Sequence, residues 1–407
     1  MFVVGKPGTA GLRFLFYSHD SLGFGHTRRH LAVASAVAEQ APAATILLVT
    51  GAEEIARHGL PRQVEILKLP GLRKDGNERY SSRRLPVSVA EIRSLRSALL
   101  AATVKSFRPM VVLVDKHPFG ASGEFKSGLK ALRRTGGRAV LGLRDILDEP
   151  REVLKEWRPY QMQRRIADYY DEVLIYGERA VFNPVAEYDF PQRLAERTRF
   201  CGYVLNQESE RSLENFEWPF PSREKRTVPV VLATAGGGED GFRTLETFIR
   251  AAADGPWHAA AVAGPMTPDA ELASLEKLAA EKGVAFRTFV PHLSALFGSV
   301  DALVCMGGYN TLVESAALGI PTVCVPRVKP RIEQLMRAEA FERLGLVQIC
   351  RPEELRPEKL RQQIFDAIKI RPQILRARAT DALKFNGASS AAECLLSLAS
   401  QTSQGRT

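Results

Sequence analysis

Short apolar segments alternate with amphipathic helical segments along most of this chain, in two successive series. The first series precedes residue 205 and comprises Leu12–Ser18, Ala44–Thr50, Val64–Leu69, Met110–Val114, Ala139–Leu143 and Val173–Ile175. The second series begins at residue 228 and comprises Val228–Thr234, Ala259–Ala263, Ala285–Phe289, Ala302–Cys305, Thr322–Val325 and Val347–Cys350. Continuous apolar strands between helices are typical of a parallel sheet that helices cover on both faces. The pattern therefore predicts an α/β protein with two doubly wound, parallel-sheet, Rossmann-like domains.

The domain boundaries follow from the break between the two series. Residues 206–227 contain Trp218, Pro219 and Pro221 and interrupt the alternation, which predicts a linker. We expect an N-terminal domain over residues 1–205, a C-terminal domain over residues 228–395, and a disordered polar tail over residues 400–407. Parallel sheets bind ligands at the carboxyl ends of their strands, so two such domains predict a site in a cleft between them.

Composition excludes several classes of protein. The chain has 407 residues, of which 45% are hydrophobic and 25% charged, as in a globular protein and unlike a disordered one. No stretch approaches the roughly 20 apolar residues of a membrane span. Five scattered cysteines without a CxxC pair argue against a disulfide framework and against a zinc site, and predict a cytoplasmic protein.

The net charge of +10 is confined to the first half of the chain. Residues 1–205 hold 32 Lys and Arg against 22 Asp and Glu, which leaves 24 of each from the totals of 56 and 46. One interpretation is an anionic partner, such as the inner face of a membrane that the protein contacts peripherally; an ordinary solvated surface is the alternative. No nucleic-acid motif accompanies these charges, so we expect no nucleic-acid partner.

Two residues of the first series are candidates for acid–base chemistry. The first strand runs into a loop with Gly23 and Gly25, and His26 follows. An imidazole titrates near neutral pH and can accept a proton from a hydroxyl nucleophile, although a structural histidine is the alternative. Asp115 follows the strand Met110–Val114 and could orient His26; capping of the next turn is its alternative role.

The second series places glycines and polar side chains at two strand ends. Gly236, Gly237 and Gly238 follow the first of its strands and would free backbone amides to surround phosphate oxygens, unless they form a merely flexible turn. The segment after Ala302–Cys305 begins a helix whose first amides could bind an anion, and it carries a carboxylate that could accept hydrogen bonds from a diol. The alternative is an ordinary helix N-cap followed by a solvated glutamate. The residues of this segment are Gly307, Gly308, Asn310, Thr311 and Glu314.

These motifs resemble a known family. The stretch from Gly308 through Asn310, Thr311 and Glu314, followed by Pro321, Pro326 and the pair Glu333 and Gln334, is similar to the nucleotide-sugar signature of two-domain GT-B glycosyltransferases. The loop of Gly23, Gly25 and His26 resembles that of the branch containing the lipid-linked N-acetylglucosaminyl transferase of peptidoglycan synthesis.

The resemblance implies a GT-B fold and a set of residue roles. Gly236, Gly237, Gly238, Gly307 and Gly308 would approach the donor diphosphate together with Asn310 and Thr311, and Glu314 would bind the ribose. Glu333 and Gln334 would contact the donor sugar, Arg331 would meet the departing charge, and His26 would lie near the reacting centre. The last helix would return to the first domain.

The implied activity is transfer of a sugar from a nucleotide-sugar donor, most often UDP-linked, to a hydroxyl or amine of an anionic or lipid-linked acceptor. The resemblance also implies an inverting, metal-independent hexosyltransferase-type enzyme with no cofactor beyond its co-substrate. The lack of a DxD pair at a strand end is consistent with a family that needs no metal ion. A nucleotide-sugar epimerase and a non-catalytic nucleotide-sugar-binding protein are the alternatives.

Overall fold

The computed structural model describes residues 11–19, 25–52, 60–74, 80–206 and 218–404. The strands before residue 206 are β1 (Arg13–Ser18), β2 (Thr45–Thr50), β3 (Val64–Lys68), β4 (Leu72–Lys74), β5 (Tyr80–Ser82), β6 (Val111–Asp115), β7 (Arg138–Arg144), β8 (Glu172–Tyr176) and β9 (Thr198–Phe200). The α-helices of this part are α1 (Gly25–Gln40), α2 (Val89–Phe107), α3 (Lys126–Arg134), α4 (Pro150–Trp157), α5 (Met162–Tyr169), α6 (Pro184–Glu187) and α7 (Gln192–Ala195).

The strands after residue 218 are β10 (Val230–Thr234), β11 (His258–Val262), β12 (Ala285–Arg287), β13 (Ala302–Cys305), β14 (Thr322–Cys324) and β15 (Gln348–Ile349). The α-helices are α8 (Phe242–Ala252), α9 (Asp269–Lys282), α10 (Tyr309–Leu318), α11 (Glu333–Arg343), α12 (Pro357–Ile368), α13 (Pro372–Ala382) and α14 (Gly387–Gln404).

The strands form two parallel sheets whose order repeats the Rossmann pattern. The first sheet has the order β3-β2-β1-β6-β7-β8-β9, and the second has the order β12-β11-β10-β13-β14-β15. Every residue of β6, β10 and β13 is buried, as expected for strands covered by helices on both faces. The predicted fold class of two doubly wound parallel sheets is confirmed. The sequence pattern missed the three-residue edge strand β9 and the antiparallel pair β4–β5, which are too short to show a periodicity.

The chain divides into two compact units. The first unit contains residues 1–145, 150–206 and 386–407, and the second contains residues 146–149 and 207–385. The second unit therefore ends ten residues before the predicted boundary at residue 395, because α14 groups with the first unit. There Gly387 N donates to Tyr203 O at 3.0 Å, and Gln40 Nε2 donates to Ser389 Oγ at 3.0 Å.

The prediction of a disordered tail from residue 400 is wrong for residues 400–404. Helix α14 continues to Gln404, where Thr402 is buried and its hydroxyl donates to Leu398 O at 2.9 Å. Residues 405–407 of the predicted tail and residues 207–217 of the predicted linker lie outside the described residues. Among the helices that the structure describes, none is long and apolar enough to cross a bilayer.

Candidate functional site

In the first sheet, the strand order changes direction between β1 and β6, and the chain leaves these neighbours in opposite directions along the sheet. Such a switch point opens a crevice at the carboxyl ends of the strands. His26 lies in the first turn of α1, which follows β1, and Asp115 is the last residue of β6. Gly25 begins α1, whereas Gly23 lies outside the described residues.

His26 and Asp115 meet at this switch point, but a third residue lies between them. Their closest atoms, His26 Nδ1 and Asp115 Oδ1, are 3.4 Å apart. Arg29, one helical turn after His26, donates from Nη2 to both Asp115 oxygens, at 3.0 Å for Oδ1 and 2.7 Å for Oδ2. The same Nη2 lies 2.9 Å from His26 Nδ1. Asp115 is fully buried and Arg29 nearly so, whereas the His26 side chain keeps 18% of its surface exposed.

The charges of this cluster are set by burial and by the Arg29 guanidinium. Burial alone would raise the pKa of Asp115, but the charge of Arg29, together with the neighbouring His26, outweighs burial and holds that pKa far below its ordinary value. His19 contacts His26 and His117, with ring centroids 5.5 and 4.2 Å apart, and burial lowers its pKa well below the ordinary value. Asp115 is thus ionised and His19 neutral at pH 7.

His30, buried beneath this cluster against Phe16, supplies a pH test of the first unit. Burial lowers its pKa from 6.5 to about 4, so the unfolded chain binds this proton at a higher pH than the folded one. The neutral His30 therefore makes its full contribution to the free energy of unfolding above pH 6.5, and this contribution decreases as the pH falls toward 4. Between pH 7 and pH 4.5 we expect the wild type to lose about 2 kcal/mol more than a His30→Leu variant.

Urea midpoints of the two proteins at both pH values measure this difference, because titrating groups common to both cancel. An equal loss of stability in wild type and variant would show that His30 does not carry this dependence.

In the second sheet, the glycine loop follows β10, which borders β13 at the corresponding switch point. Gly236 and Gly238 have φ values of +64° and +93°, which side chains on Cβ disfavour. A Cβ on Gly238 would overlap Thr267 and Gly264, and one on Gly264 would lie 2.5 Å from Gly236 O. The loop therefore packs backbone against backbone on the loop after β11. A Cβ on Gly236 would meet nothing within 4 Å, so this glycine borders open space.

The start of α10 lies after β13, next to this glycine loop in strand order. Gly308 is its N-cap and has no side chain with which to cap the helix, and a Cβ on Gly308 would meet nothing within 4 Å. Gly307 has a φ of +82°, and a Cβ there would lie 3.0 Å from Cys324 Sγ. Asn310 and Thr311 in the first turn are half-buried. An open helix start with polar first-turn residues is suited to an anion.

Glu314 lies one turn further along α10 and keeps only 5% of its surface exposed. It follows Asn310 by four residues, so both project from the same face of the helix. A buried carboxylate on that face is an acceptor for two neighbouring hydroxyl groups.

Arg327, which the sequence analysis did not single out, ties the remaining predicted donor residues together. It donates from Nη2 to Glu333 Oε1 at 2.6 Å and from Nη1 to Asp240 Oδ2 at 3.1 Å. Its backbone N donates to Gln334 Oε1 at 3.2 Å. Arg327 thereby joins the end of the glycine loop to the start of α11. Glu333 is buried, and one of its oxygens is held by this arginine.

Arg331 lies beside a carboxylate rather than alone. Its Nη1 is 3.5 Å from Asp148 Oδ2, and Ile332 N donates to Asp148 Oδ1 at 3.0 Å. The fully buried Arg337 donates to Gly307 O at 3.2 Å and to Ile146 O at 3.3 Å, which fixes the carbonyl of the glycine before the α10 cap.

The structure thus brings His26 and Asp115 together in the first unit. In the second unit, the glycine loop and the start of α10 follow neighbouring strands, β10 and β13. The sequence analysis missed Arg29 and Arg327. Arg29 could have been found from its spacing, because it follows His26 by three residues on a helix and so lies on the same face. Among the described residues, no group of three or more His, Cys, Asp or Glu side chains could hold a metal ion.

Comparison with known proteins gives a family match that lies mostly in the second unit. Residues 263–395 match the glycosyltransferase family 28 C-terminal domain. An uncharacterized glycosyltransferase of Methanopyrus kandleri is 32% identical over 150 residues, which are 36% of this chain and 41% of the relative. A UDP-N-acetylglucosamine–N-acetylmuramyl-(pentapeptide) pyrophosphoryl-undecaprenol N-acetylglucosamine transferase of Synechococcus elongatus is 29% identical over 150 residues, 35% of this chain and 40% of the relative. The chain therefore spans about two fifths of the length of these relatives.

The likeness in fold covers the whole chain. The crystal structure of MurG from Acinetobacter baumannii superposes with a TM-score of 0.58, covering 95% of this chain and 99% of that one, at 15% sequence identity. The chain has a GT-B glycosyltransferase fold and resembles MurG, as the sequence motifs predicted.

Proposed function

We propose that this GT-B chain, with its family 28 C-terminal domain, transfers a sugar from a nucleotide-sugar to a hydroxyl or amine of an acceptor. The observation that carries the proposal is the arrangement after β10 and β13. A helix start with glycine at its N-cap, a tightly packed glycine loop and the buried Glu314 offer amides for a diphosphate and a carboxylate for a ribose diol. A UDP-linked donor is the first choice, because the S. elongatus relative is named for one.

The chemistry proposed is a single displacement with inversion. The acceptor oxygen forms a bond to the anomeric carbon, the bond from that carbon to the diphosphate oxygen breaks, and His26 takes the acceptor proton. Asp115, held ionised by Arg29, stabilises the imidazolium that results. Amides at the start of α10 receive the charge of the departing diphosphate without a requirement for a metal ion.

A thermal-shift screen across UDP-, dTDP-, GDP- and ADP-linked sugars tests donor binding. A ligand that binds only the folded state raises the melting temperature by mass action. One selective nucleotide-sugar would support the proposal, and release of the nucleoside diphosphate would then separate an enzyme from a non-catalytic binding protein. A folded protein that responds to none of these donors would contradict the proposal.

Glu314→Ala is expected to weaken binding of the selected donor roughly 10- to 100-fold. Hydrogen bonds to a charged acceptor contribute about 1.5–3 kcal/mol, and about 1.4 kcal/mol corresponds to a factor of ten. Isothermal titration calorimetry of wild type and variant measures the difference. Glu358→Ala, an exposed first-turn glutamate on α12 of the same unit, is the matched control and should bind as wild type does. Equal affinity of both variants would remove the ribose role of Glu314.

The acceptor side of the proposal rests on a surface of the first unit around the start of α2. We call it the α2 surface; its exposed apolar residues are Leu85, Val87, Val89, Leu95 and Leu99, and its exposed arginines are Arg83, Arg84 and Arg93. Exposed apolar side chains between arginines suit the headgroup region of an anionic bilayer. We place the protein peripherally at such a membrane, with a lipid-linked acceptor, in a compartment that keeps its five buried cysteines reduced.

Sedimentation with lipid vesicles tests the α2 surface. Wild type should sediment with phosphatidylglycerol vesicles and not with phosphatidylcholine vesicles, and added salt should release it. Val89→Glu with Leu95→Glu should abolish sedimentation, because each change removes apolar contact and adds a charge that anionic lipid repels. Ile374→Glu, at an apolar residue with 52% exposure on α13, is the matched control and should behave as wild type. Equal sedimentation of all variants would contradict a membrane role of this surface.

A further inference from the structure

The contact between Arg29 and His26 determines which ring nitrogen of His26 carries the proton. A guanidinium has only donors, so Arg29 Nη2 at 2.9 Å from His26 Nδ1 requires that nitrogen to be an acceptor. In a neutral imidazole one nitrogen donates and the other accepts. An accepting Nδ1 therefore leaves the proton of His26 on Nε2.

The competing arrangement, with Nδ1–H donating to Asp115, is geometrically weaker. The distance from His26 Nδ1 to Asp115 Oδ1 is 3.4 Å, beyond the usual 2.7–3.2 Å of an N–H···O hydrogen bond. If Nδ1 carried a proton, its N–H and that of Arg29 Nη2 would face each other across 2.9 Å, because the guanidinium of Arg29 cannot lose its proton. Both carboxylate oxygens of Asp115 already accept hydrogen bonds from Arg29.

We propose that Arg29 is a positioning residue that holds His26, in the unliganded protein, in the tautomer protonated at Nε2. This inference rests on the proposed function of His26 as the group that accepts the acceptor's proton. A proton on Nε2 leaves Nδ1, which faces Arg29, as the basic nitrogen of His26, so the resting enzyme has its base switched off.

Activation then consists of a change of tautomer. Nε2 loses its proton to solvent and Nδ1 gains one from solvent, so the net charge of the ring is unchanged. Nδ1–H turns to Asp115 while Arg29 remains on that carboxylate alone. A base that is inactive before the acceptor arrives does not activate water, and hydrolysis of the donor competes with transfer.

The tautomer is measured directly by nuclear magnetic resonance of the unliganded protein labelled with ¹⁵N-histidine, at alkaline pH. A His26→Gln spectrum assigns the His26 signals. We expect the Nδ1 signal at the position of an unprotonated ring nitrogen and the Nε2 signal at that of a protonated one. The reverse pattern would overturn the proposal even if the enzyme transfers sugar. The expected pattern in a protein that binds no nucleotide-sugar would instead leave the proposal standing and remove the proposed function.

Arg29→Lys separates the two contacts of the arginine. The lysine ammonium retains a positive charge for Asp115 but ends about one bond, roughly 1.3 Å, short of the guanidinium nitrogen that reaches His26. We expect the Nδ1–H tautomer to become the major form in this variant and not in the neighbouring Arg28→Lys control. An unchanged tautomer in folded Arg29→Lys would overturn the role of Arg29. If the variant does not fold, the wild-type spectrum still decides the proposal.

Discussion

Replacement of His26 by glutamine is expected to lower the turnover number of sugar transfer by about 10²- to 10⁴-fold, the usual contribution of a positioned general base. Donor affinity should stay unchanged, because His26 belongs to the first unit and the residues proposed to bind the donor belong to the second. Glutamine keeps a polar side chain beside Arg29 but cannot take up a proton. Turnover is read as release of nucleoside diphosphate from the donor that the thermal-shift screen selects.

His258→Gln is the matched control for that measurement. His258 is the first residue of β11, at the amino end of its strand, and it stacks on Phe220 with ring centroids 5.4 Å apart. Ligands of such sheets bind at the opposite, carboxyl end, so the control should keep wild-type turnover. Parallel losses of turnover and of donor affinity in His26→Gln would contradict the role of His26 as a base.

Replacement of Arg96 by methionine is expected to destabilise the first unit by about 3–5 kcal/mol, the usual effect of breaking one side of a buried ion pair. Arg96 on α2 is fully buried and donates to both oxygens of Glu124, each at 2.6 Å, and to Pro70 O at 2.5 Å. Tyr17 on β1 donates its hydroxyl to the same carboxylate. Without Arg96 the Glu124 charge is left in a low-dielectric interior beside the neutral Tyr17 hydroxyl.

Urea unfolding followed by the fluorescence of Trp157, in a background of Trp218→Phe and Trp257→Phe, reports on the first unit alone. Arg93→Met removes an exposed arginine from the same helix and should change stability by no more than about 0.5 kcal/mol. Adding Glu124→Met to Arg96→Met should recover most of the loss, because a buried ion pair replaced by apolar groups is often neutral. A loss below about 1 kcal/mol in Arg96→Met would show that the pair does not hold α2 in place.

This buried network also bears on the proposed membrane contact. The α2 surface is formed by the start of the helix that Arg96 attaches to β1 and to the segment around Pro70. Three of its exposed apolar residues, Val89, Leu95 and Leu99, are therefore carried by a helix that this network attaches to the rest of the unit. Membrane binding and the stability of the first unit should remain separable, because Val89 and Leu95 lie on the exposed face of α2 whereas Arg96 is buried.

Much of the fold was predictable from local patterns. The runs Leu12–Ser18 and Val228–Thr234 each contain an interior strand of a parallel sheet, because a strand covered on both faces is largely apolar. The glycine loop at residues 236–238 was predictable for a related reason, since successive glycines between a strand and a helix permit a close backbone approach. The roles predicted for Glu314, Glu333 and Gln334 await the binding experiments.

Other features depended on partners distant in sequence. Asp115 could be read as a turn cap or as a partner of His26, and neither reading anticipated that Arg29 would bind both of its oxygens. Likewise, the sequence predicted only that Glu333 and Gln334 would contact a sugar. The structure shows that Arg327 contacts both of them and also Asp240, which precedes Arg327 by 87 residues.

The sequence by itself determined the two parallel sheets, their glycine-bearing strand ends and the resemblance to GT-B glycosyltransferases, because periodicity and local backbone requirements are written in neighbouring residues. Only the tertiary structure decided which charges pair and which nitrogen of His26 faces the Arg29 donor. Ion pairs and hydrogen bonds between residues far apart in the chain form or fail with differences of a few tenths of an ångström in the distance between their atoms. Such distances are fixed only when the strands and helices have packed.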